Sequence, residues 1–556
     1  MTSFKMRVGG TAVAASAMLL SAAAAQATDF RVVLPEDYEG PVTGRLLLAL
    51  SETAEEPRRA IAFTGASIFG LDVEGLAPGE AVTIDASAAG FPMESLGDLA
   101  VGEYHVQAVL QTYQQVTRAD GHTIWVPVPE TNTFFFFKPG NLFSPAQKTV
   151  VDPAADDTLE LTLSETIPPA EEPEDSEWIK HVEIRSDILS DFWGTDIYLG
   201  ADVLLPHGYE QHPDARYPVV FPMTHWGAPF NFNPDPESDT ERARASAADA
   251  NLKTGHQFYQ EWVSSGFPRM VAIALKHPSP YFIESYALNS ANNGPYGDAI
   301  TQELIPYLEE EFRLIGEPYA RIVEGASTGG WEALALQLHY PDYFGGAWVF
   351  NPDPVSFRHY QLANIYEDEN MFTVPTTDYF SAERPFRRTR EGQPVWTTRQ
   401  LSRFEAVLGT KGRSGYQLGI WQATHGPVGE DGYPVPLFDP LTGEIDHEVA
   451  NYYRENGYDL TEYARANWET LGPKLAGKLN FFSGEMDEFY LNLGVYDFQD
   501  MIEETAEEDY PIRFEYGRPK KGHNWHHTDW AGVVREMAEQ VRRNAPDGAD
   551  NAQWNY

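Results

Sequence analysis

The N-terminal quarter of the chain follows a period-two pattern of hydrophobic and polar positions. Residues 28–164 contain short alternating segments separated by Gly, Pro and Asp, of which the clearest are Gly44–Leu50, Glu103–Leu110 and Thr158–Leu163. Such alternation turns one face of a strand to a core and the other to solvent. The pattern predicts an N-terminal β-sandwich domain.

Short, nearly continuous apolar runs alternate with helical patterns in the rest of the chain. The runs are Tyr217–Met223, Met270–Leu275, Arg321–Glu324, Gly346–Phe350, Lys478–Phe482 and Ile512–Tyr516. Strands that are apolar throughout and separated by helices form mainly parallel sheets with helices on both faces. Residues 179–546 are therefore predicted to form an α/β domain.

Two further segments mark the domain organisation. Residues 165–178 are rich in proline and acidic side chains, which predicts an extended, solvated linker between the domains. Residues 351–478 exceed any ordinary connection between strands and are predicted to be an insertion that caps the site, with a peripheral decoration as the alternative. Residues 547–556 form a C-terminal tail.

The first 27 residues have the pattern of a secretory signal peptide. Lys5 and Arg7 precede an apolar, alanine-rich run from about Thr11 to Ala25, and Ala25-Gln26-Ala27 fits a small-x-small cleavage site. The alternative, a membrane anchor, normally needs about 18 or more apolar residues. We therefore expect an exported protein, periplasmic or extracellular, without a membrane span in its mature chain.

Charge and cysteine content narrow the chemistry. The chain has 83 acidic and 39 basic residues and a net charge of −44, which repels phosphate backbones and argues against a nucleic-acid partner. It has no cysteine, so disulfides, thiolate metal sites and a cysteine nucleophile are excluded. A nucleophile in this chain must use oxygen.

The segment Gly325-Ala326-Ser327-Thr328-Gly329 matches the G-x-S-x-G pattern of a nucleophile elbow. The motif is weak alone, but it follows the apolar run ending at Glu324 and precedes a helical pattern, as an elbow must. Ser327 is the predicted nucleophile, and Gly325 and Gly329 let the two backbones approach. The alternative is a glycine-rich turn that binds phosphate or nothing.

A serine nucleophile needs a histidine base and an acid, which follow the serine in the order acid, then histidine, in this fold. Asp487 follows the run ending at Phe482 and is the predicted acid, with Glu485 and Glu488 as rivals. His523 follows the last predicted strand and is the predicted base. Its alternatives are His526 and His527, or a metal cluster formed by the three histidines.

The oxyanion hole requires backbone N–H donors near the nucleophile. The residue after the nucleophile, Thr328, supplies one, and the segment following the strand Tyr217–Met223 is expected to supply the other. That segment reads Thr224-His225-Trp226-Gly227, and Trp226 is the predicted donor. His225 is interpreted as structural.

Together these motifs resemble the α/β-hydrolase esterase family that includes esterase D, enterochelin esterase and feruloyl esterases. The resemblance runs from about Lys180 to Asn544 and rests on these points: the strand leading to His225, Gly297–Ile300, Glu303–Pro306, Gly325–Gly330, Asp487, Gly522-His523 and Trp525. The chain departs from the family where His225 is followed by Trp226 instead of glycine. The N-terminal domain resembles the immunoglobulin-like modules that precede some of these esterases.

The sequence therefore predicts a serine esterase that cleaves carboxylic esters of small molecules or glycans through an acyl-enzyme, with no cofactor and no metal. A serine peptidase or an acyl transferase on the same fold is one alternative. A noncatalytic glycan-binding protein is the other. The substrate and the oligomeric state are left open.

Overall fold

The computed structural model describes residues 29–129, 137–155, 157–169, 171, 173–224, 230–377, 379–507 and 509–556. The predicted signal peptide and the predicted oxyanion donor Trp226 lie outside these residues. Within the described residues, none of the helices combines the length and apolar character that crossing a membrane requires.

The N-terminal region consists mostly of strands. They are β1 (Asp29–Val33), β2 (Val42–Ser51), β3 (Ser67–Leu76), β4 (Ala81–Ile84), β5 (Ala89–Phe91), β6 (Gly102–Thr117), β7 (Thr123–Pro127), β8 (Leu142–Phe143), β9 (Gln147–Val151), β10 (Thr158–Thr162) and β11 (Glu165–Thr166). They form a three-stranded sheet, β10-β1-β4, and a larger sheet, β11-β8-β6-β2-β3-β5, in which β7 and β9 also pair with β6.

Both N-terminal sheets contribute to one apolar cluster, which includes Phe30 and Val32 of β1 and Leu46 and Leu48 of β2. The intervening residues of β2, Leu47 among them, belong to the main core of the molecule instead. One face of β2 thus packs in the N-terminal cluster and the other in the main core, so this strand is apolar on both faces. The immunoglobulin-like sandwich stays a prediction.

Strands and helices alternate in the next part of the chain, from residue 179 to residue 350. Its elements are β12 (Ile179–Ser186), α1 (Asp187–Trp193), β13 (Ile197–Leu204), β14 (Val219–Met223), α2 (Glu241–Ala250), α3 (Gly255–Trp262), β15 (Val271–Lys276), β16 (Asn289–Ser290), β17 (Gly294–Pro295), α4 (Tyr296–Ala299), α5 (Ile305–Glu311), β18 (Arg321–Ala326), α6 (Thr328–His339) and β19 (Gly346–Phe350).

The insertion and the C-terminal part complete the chain. Their elements are β20 (Thr373–Thr377), β21 (Phe380–Glu383), β22 (Pro385–Arg388), β23 (Pro394–Thr397), α7 (Thr398–Leu408), α8 (Gln417–His425), α9 (His447–Glu455), α10 (Leu460–Leu475), β24 (Leu479–Gly484), α11 (Asn492–Thr505), β25 (Arg513–Gly517) and α12 (Trp530–Asn544).

Eight strands form the central sheet in the order β12-β13-β15-β14-β18-β19-β24-β25. The pairings β12 with β13 and β13 with β15 are antiparallel, and those from β15 to β25 are parallel. Every residue of β14 and β19 is buried, so this sheet is covered on both faces. All six apolar runs of the sequence coincide with its parallel strands, which confirms an α/β architecture.

The carboxyl ends of β18, β19, β24 and β25 lie next to one another, because these four strands are parallel neighbours. Sites in open α/β sheets form at this edge. Ser327 directly follows β18, and Asp353, Asp487 and His523 follow β19, β24 and β25 in turn.

Candidate active site

Ser327 occupies a strained turn between β18 and α6. Its backbone has φ 59° and ψ −124°, a region that residues other than glycine rarely enter. The turn is fixed by hydrogen bonds from the Ser327 N–H to Phe350 O at 3.0 Å and from the Trp331 N–H to Ser327 O at 3.1 Å. Contacts with the neighbouring strand β19 and with α6 therefore keep the Ser327 backbone in this strained conformation.

The two glycines of the motif stand where backbones meet. A Cβ on Gly325 would lie 2.3 Å from the carbonyl carbon of Gly329. A Cβ on Gly329 would lie 1.9 Å from the carbonyl oxygen of Met223 in the neighbouring strand β14. Both contacts are far shorter than van der Waals distance, so only glycine fits at these positions.

The predicted acid and base are in direct contact. His523 Nδ1 lies 2.7 Å from Asp487 Oδ2. Asp487 is fully buried, and its other oxygen accepts hydrogen bonds from the N–H groups of Phe489 at 2.8 Å and Leu491 at 3.4 Å. The carboxylate is thus fixed, and it sets the tautomer of His523 that leaves Nε2 free of a proton.

The rival acids face elsewhere. Glu485 accepts a hydrogen bond from the Lys520 N–H at 2.8 Å and approaches Arg518 at 3.5 Å. Glu488 accepts from the backbone N–H of His523 at 2.5 Å and pairs with Arg390 at 3.0 Å. Within the part of the chain that the structure describes, neither carboxylate forms a hydrogen bond with the imidazole of His523.

The rival histidines have other partners. Burial lowers the pKa of His526 to about 4, and its Nδ1 contacts the backbone oxygen of Asn524 at 3.1 Å. His527 Nε2 pairs with Glu536 at 3.0 Å, and its ring stacks on Phe482. His526 lines the cavity that contains Ser327. Among the described residues, however, no carboxylate forms a hydrogen bond with its ring.

Burial is the largest single influence on the pKa of His523, but the neighbouring carboxylates together outweigh it. Burial alone lowers the pKa of a histidine, whereas the adjacent Asp487 carboxylate and, less strongly, Asp353 favour the imidazolium. The net effect raises the pKa of His523 above its ordinary value. The site therefore stabilises the imidazolium that a general base forms when it accepts a proton.

The hydroxyl of Ser327 contacts a carboxylate that the sequence analysis missed. Ser327 Oγ donates a hydrogen bond to Asp353 Oδ1 at 3.4 Å. Among the described residues, this bond takes the place of the expected one to His523. Catalytic hydrogen bonds are often long or misaligned before substrate binds. Asp353 was detectable by the argument that found Asp487, since it also follows the carboxyl end of a parallel strand.

Asp353 is held by a buried polar network. Its Oδ2 accepts hydrogen bonds from Tyr286 Oη at 2.5 Å, Thr328 Oγ1 at 2.9 Å and Gln417 Nε2 at 3.2 Å. Its own N–H donates to Ser327 O at 3.0 Å. Burial raises the pKa of Asp353, although the hydrogen bonds from Tyr286, Thr328 and Trp421 and the charge of His523 act in the opposite direction.

One predicted oxyanion donor lies within the described residues. Thr328 is the first residue of α6, so its N–H has no acceptor inside the helix and lies at the positive end of the helix dipole. The end of β14 reaches the same region through Met223, next to Gly329. The donor role of Trp226 stays a prediction.

A cavity of about 400 Å³ opens beside Ser327, His523 and Asp353. Eight of its lining residues lie within the predicted insertion: Asp353, Gln361, Phe386, Trp396, Leu401, Tyr416, Gln417 and Trp421. Residues of the predicted insertion therefore form a wall of the cavity, and the capping role of the whole insertion stays a prediction. Half of these residues are aromatic, and Gln417 Nε2 donates to Asp353 Oδ2 at 3.2 Å.

The N-terminal region supports this wall. The ring of Phe63 lies 4.1 Å from the ring of Trp396 and 5.8 Å from that of Phe404 in α7, measured between centroids. The Arg45 guanidinium, which is nearly fully buried, donates to Val407 O at 2.7 Å and to Ala406 O at 3.0 Å. No sequence pattern indicated these contacts, which join distant parts of the chain.

We expect Phe63→Ala to loosen the pocket wall without touching the reacting groups. Trp396 loses its stacking partner, so KM for an ester with a bulky aromatic acyl group should rise several-fold, while kcat/KM for an acetyl ester changes less than about twofold. Steady-state kinetics with the two esters measures the split. Tyr38→Ala, a half-buried aromatic packed on the other N-terminal core, is the matched control and should leave both esters unchanged.

One group of described side chains has the donor atoms and spacing to hold a metal ion. The ligand atoms of His277, Glu284 and Glu332 lie within 4.8 Å of one another, and all three residues are buried. The Ser285 N–H donates to His277 Nδ1 at 3.2 Å, so the ring proton lies on Nε2, 3.9 Å from Glu332 Oε1. Burial raises the pKa of Glu284 to about 7 and that of Glu332 well above its usual value. Burial therefore favours the neutral form of both carboxyl groups.

Comparison with known structures gives three examples of similar chains. A ferulic acid esterase is 16% identical and covers 66% of this chain and 98% of its own, with a TM-score of 0.34. The fluorophosphonate-binding serine hydrolase FphF of Staphylococcus aureus is 14% identical (65% and 98% covered, TM-score 0.32). The S-formylglutathione hydrolase FrmB of Staphylococcus aureus is 14% identical (65% and 99% covered, TM-score 0.31).

Comparison with curated proteins finds no match. The model of the family described as "Putative esterase" matches residues 197–481, just over half of the 556 residues. The matched segment runs from β13 into β24 and contains the turn around Ser327, while Asp487 and His523 lie beyond its end. The chain belongs to this esterase family and is a carboxylic ester hydrolase.

Proposed function

We propose that the protein is an exported serine esterase that works through an acyl-enzyme intermediate. Ser327 is the nucleophile, His523 the general base and Asp487 the residue that orients His523. The contact of 2.7 Å between His523 Nδ1 and Asp487 Oδ2, at strand ends next to the Ser327 turn, carries the proposal. No cofactor or metal enters the proposed reaction.

In the first half-reaction Ser327 Oγ attacks the ester carbonyl while His523 Nε2 accepts its proton. The N–H of Thr328 and that of Trp226 hold the oxyanion of the tetrahedral intermediate. His523 then gives its proton to the leaving alcohol, and the acyl group stays on Ser327. Water, activated by His523, releases the acid and restores the serine.

The proposal also includes the predicted export of the protein and its predicted division into domains. The pattern of residues 1–27 supports export to the periplasm or the medium. Residues 28–164 are proposed to form an immunoglobulin-like sandwich, joined through residues 165–178 to the catalytic domain. The contacts of Phe63 and Arg45 with the insertion support a role for this region in shaping the pocket.

A comparison of matched substrates tests the reaction class. We expect hydrolysis of 4-nitrophenyl acetate to be much faster than hydrolysis of 4-nitroacetanilide, which has an amide in place of the ester. Product analysis with added alcohol should give mainly acetate. Faster cleavage of the anilide would favour a peptidase, predominant transfer to the alcohol would favour an acyl transferase, and no turnover by the folded protein would favour the glycan-binding alternative.

A further inference from the structure

The two carboxylate oxygens of Asp353 have different surroundings. Oδ2 accepts three hydrogen bonds, from Tyr286, Thr328 and Gln417. Oδ1 accepts the long hydrogen bond of 3.4 Å from Ser327 Oγ, and the Trp421 side chain is a further hydrogen-bond donor to the carboxylate. Because a carboxylate oxygen can accept about two hydrogen bonds, Oδ2 is saturated and Oδ1 retains capacity beside the nucleophile.

Asp353 is buried without a cationic partner. It is 5% exposed, and among the described residues the positive group that acts on it is His523, with no lysine or arginine beside it. A buried carboxylate without a lysine or arginine beside it is costly to a fold, and in a cleft it is a candidate functional group. The net charge of −44 adds a field that attracts cations to the molecule.

The cavity around Asp353 is otherwise mostly apolar. Phe386, Trp396, Trp421 and Phe489 are among its lining residues. In such a pocket one polar group fixes the orientation of a ligand, while the aromatic walls accept its apolar part. Asp353 Oδ1 is the charged acceptor nearest to the attacking hydroxyl.

We propose that Asp353 Oδ1 binds a hydrogen-bond donor, an ammonium or a hydroxyl, that the substrate carries on the carbon next to its scissile carbonyl. The inference rests on the proposed function of Ser327. Oδ1 is 3.4 Å from the attacking oxygen, so a donor held about 2.8 Å from Oδ1 can lie on the carbon next to the attacked carbonyl. The substrate class is esters of α-amino or α-hydroxy acids with an apolar side chain.

Three matched esters test this assignment: the ethyl esters of L-phenylalanine, L-3-phenyllactate and 3-phenylpropanoate, which differ in the α substituent. Each kcat/KM is divided by the rate constant for hydroxide-catalysed hydrolysis, which removes differences in intrinsic reactivity. We expect the wild-type protein to prefer at least one donor-bearing ester about tenfold or more over 3-phenylpropanoate. Comparison of the L-phenylalanine ester with the L-3-phenyllactate ester shows whether Asp353 binds an ammonium or a hydroxyl.

Asp353→Asn keeps the shape of the side chain. Its carbonyl oxygen can remain at the three donors, while an amide NH2 replaces the open oxygen and turns an acceptor into a donor. We expect the preference to fall to about one. The readout is a ratio between substrates, so a general loss of activity cancels. Tyr286→Phe removes one donor to Oδ2 and leaves Oδ1 charged, and it should keep the preference.

The outcomes separate this inference from the proposed function. Equal turnover of the three esters by the wild type, or an unchanged preference in Asp353→Asn, overturns the role of Asp353 and leaves the esterase mechanism standing. Hydrolysis of 4-nitrophenyl acetate without hydrolysis of any of the three overturns the substrate class. Failure to hydrolyse 4-nitrophenyl acetate as well overturns the proposed function itself.

Discussion

Ser327→Ala is expected to lower kcat/KM for 4-nitrophenyl acetate by at least about 10⁴-fold, because removal of a serine nucleophile eliminates the acyl-enzyme route. The fold should persist, since the lost Oγ makes one long hydrogen bond of 3.4 Å. Initial rates and thermal unfolding of the purified variant measure the two effects.

Ser483→Ala is a matched control for that variant. Ser483 also lies at the end of a parallel strand, and its buried Oγ has no hydrogen-bond partner among the described residues. Its replacement should leave kcat/KM within about twofold. Retained turnover in a folded Ser327→Ala protein would assign the nucleophile to another residue.

Asp487→Asn is expected to lower kcat/KM by about 10⁴-fold, because an amide at this position stabilises neither the required tautomer nor the imidazolium of His523. It should also change the pH profile. His523 acts as a base when neutral, so activity rises with pH through its pKa, and Asp487 raises that pKa. Without this charge the acidic limb moves to lower pH. A pH series of kcat/KM measures both changes.

Glu485→Gln serves as the control for Asp487→Asn. Glu485 follows the same strand but contacts Lys520 and Arg518, so its replacement should leave the acidic limb unmoved and kcat/KM within a few-fold. A large loss in Glu485→Gln together with a mild effect of Asp487→Asn would reverse the assignment of the acid.

Local patterns explain why the central sheet was predictable. The apolar runs from Tyr217 to Tyr516 are buried on both faces, and burial of that kind leaves a continuous hydrophobic signal. β12 escaped detection because it is a largely half-exposed edge strand, and its sequence Ile-Lys-His-Val-Glu-Ile-Arg-Ser mixes charges with apolar residues. The adjoining strand β13 was missed as well.

The predicted site residues come together where each of them follows the end of a parallel strand. The turn around Ser327 and the positions of Asp487 and His523 obey a local order that the sequence carries. Asp353 obeys the same rule, but no motif required a second carboxylate. The contacts of Gln417 and Phe63 with the site join residues far apart in the chain, and sequence periodicity contains no information on such contacts.

Peptide mass mapping after reaction with a fluorophosphonate tests the central claim most directly, because the reagent marks the serine that the protein itself activates. We predict a single phosphonate on the peptide that contains Ser327, with labelling slowed by an ester substrate and strongly reduced in His523→Ala. A phosphonate on another residue, or an unlabelled Ser327 in a preparation that hydrolyses esters, would contradict it.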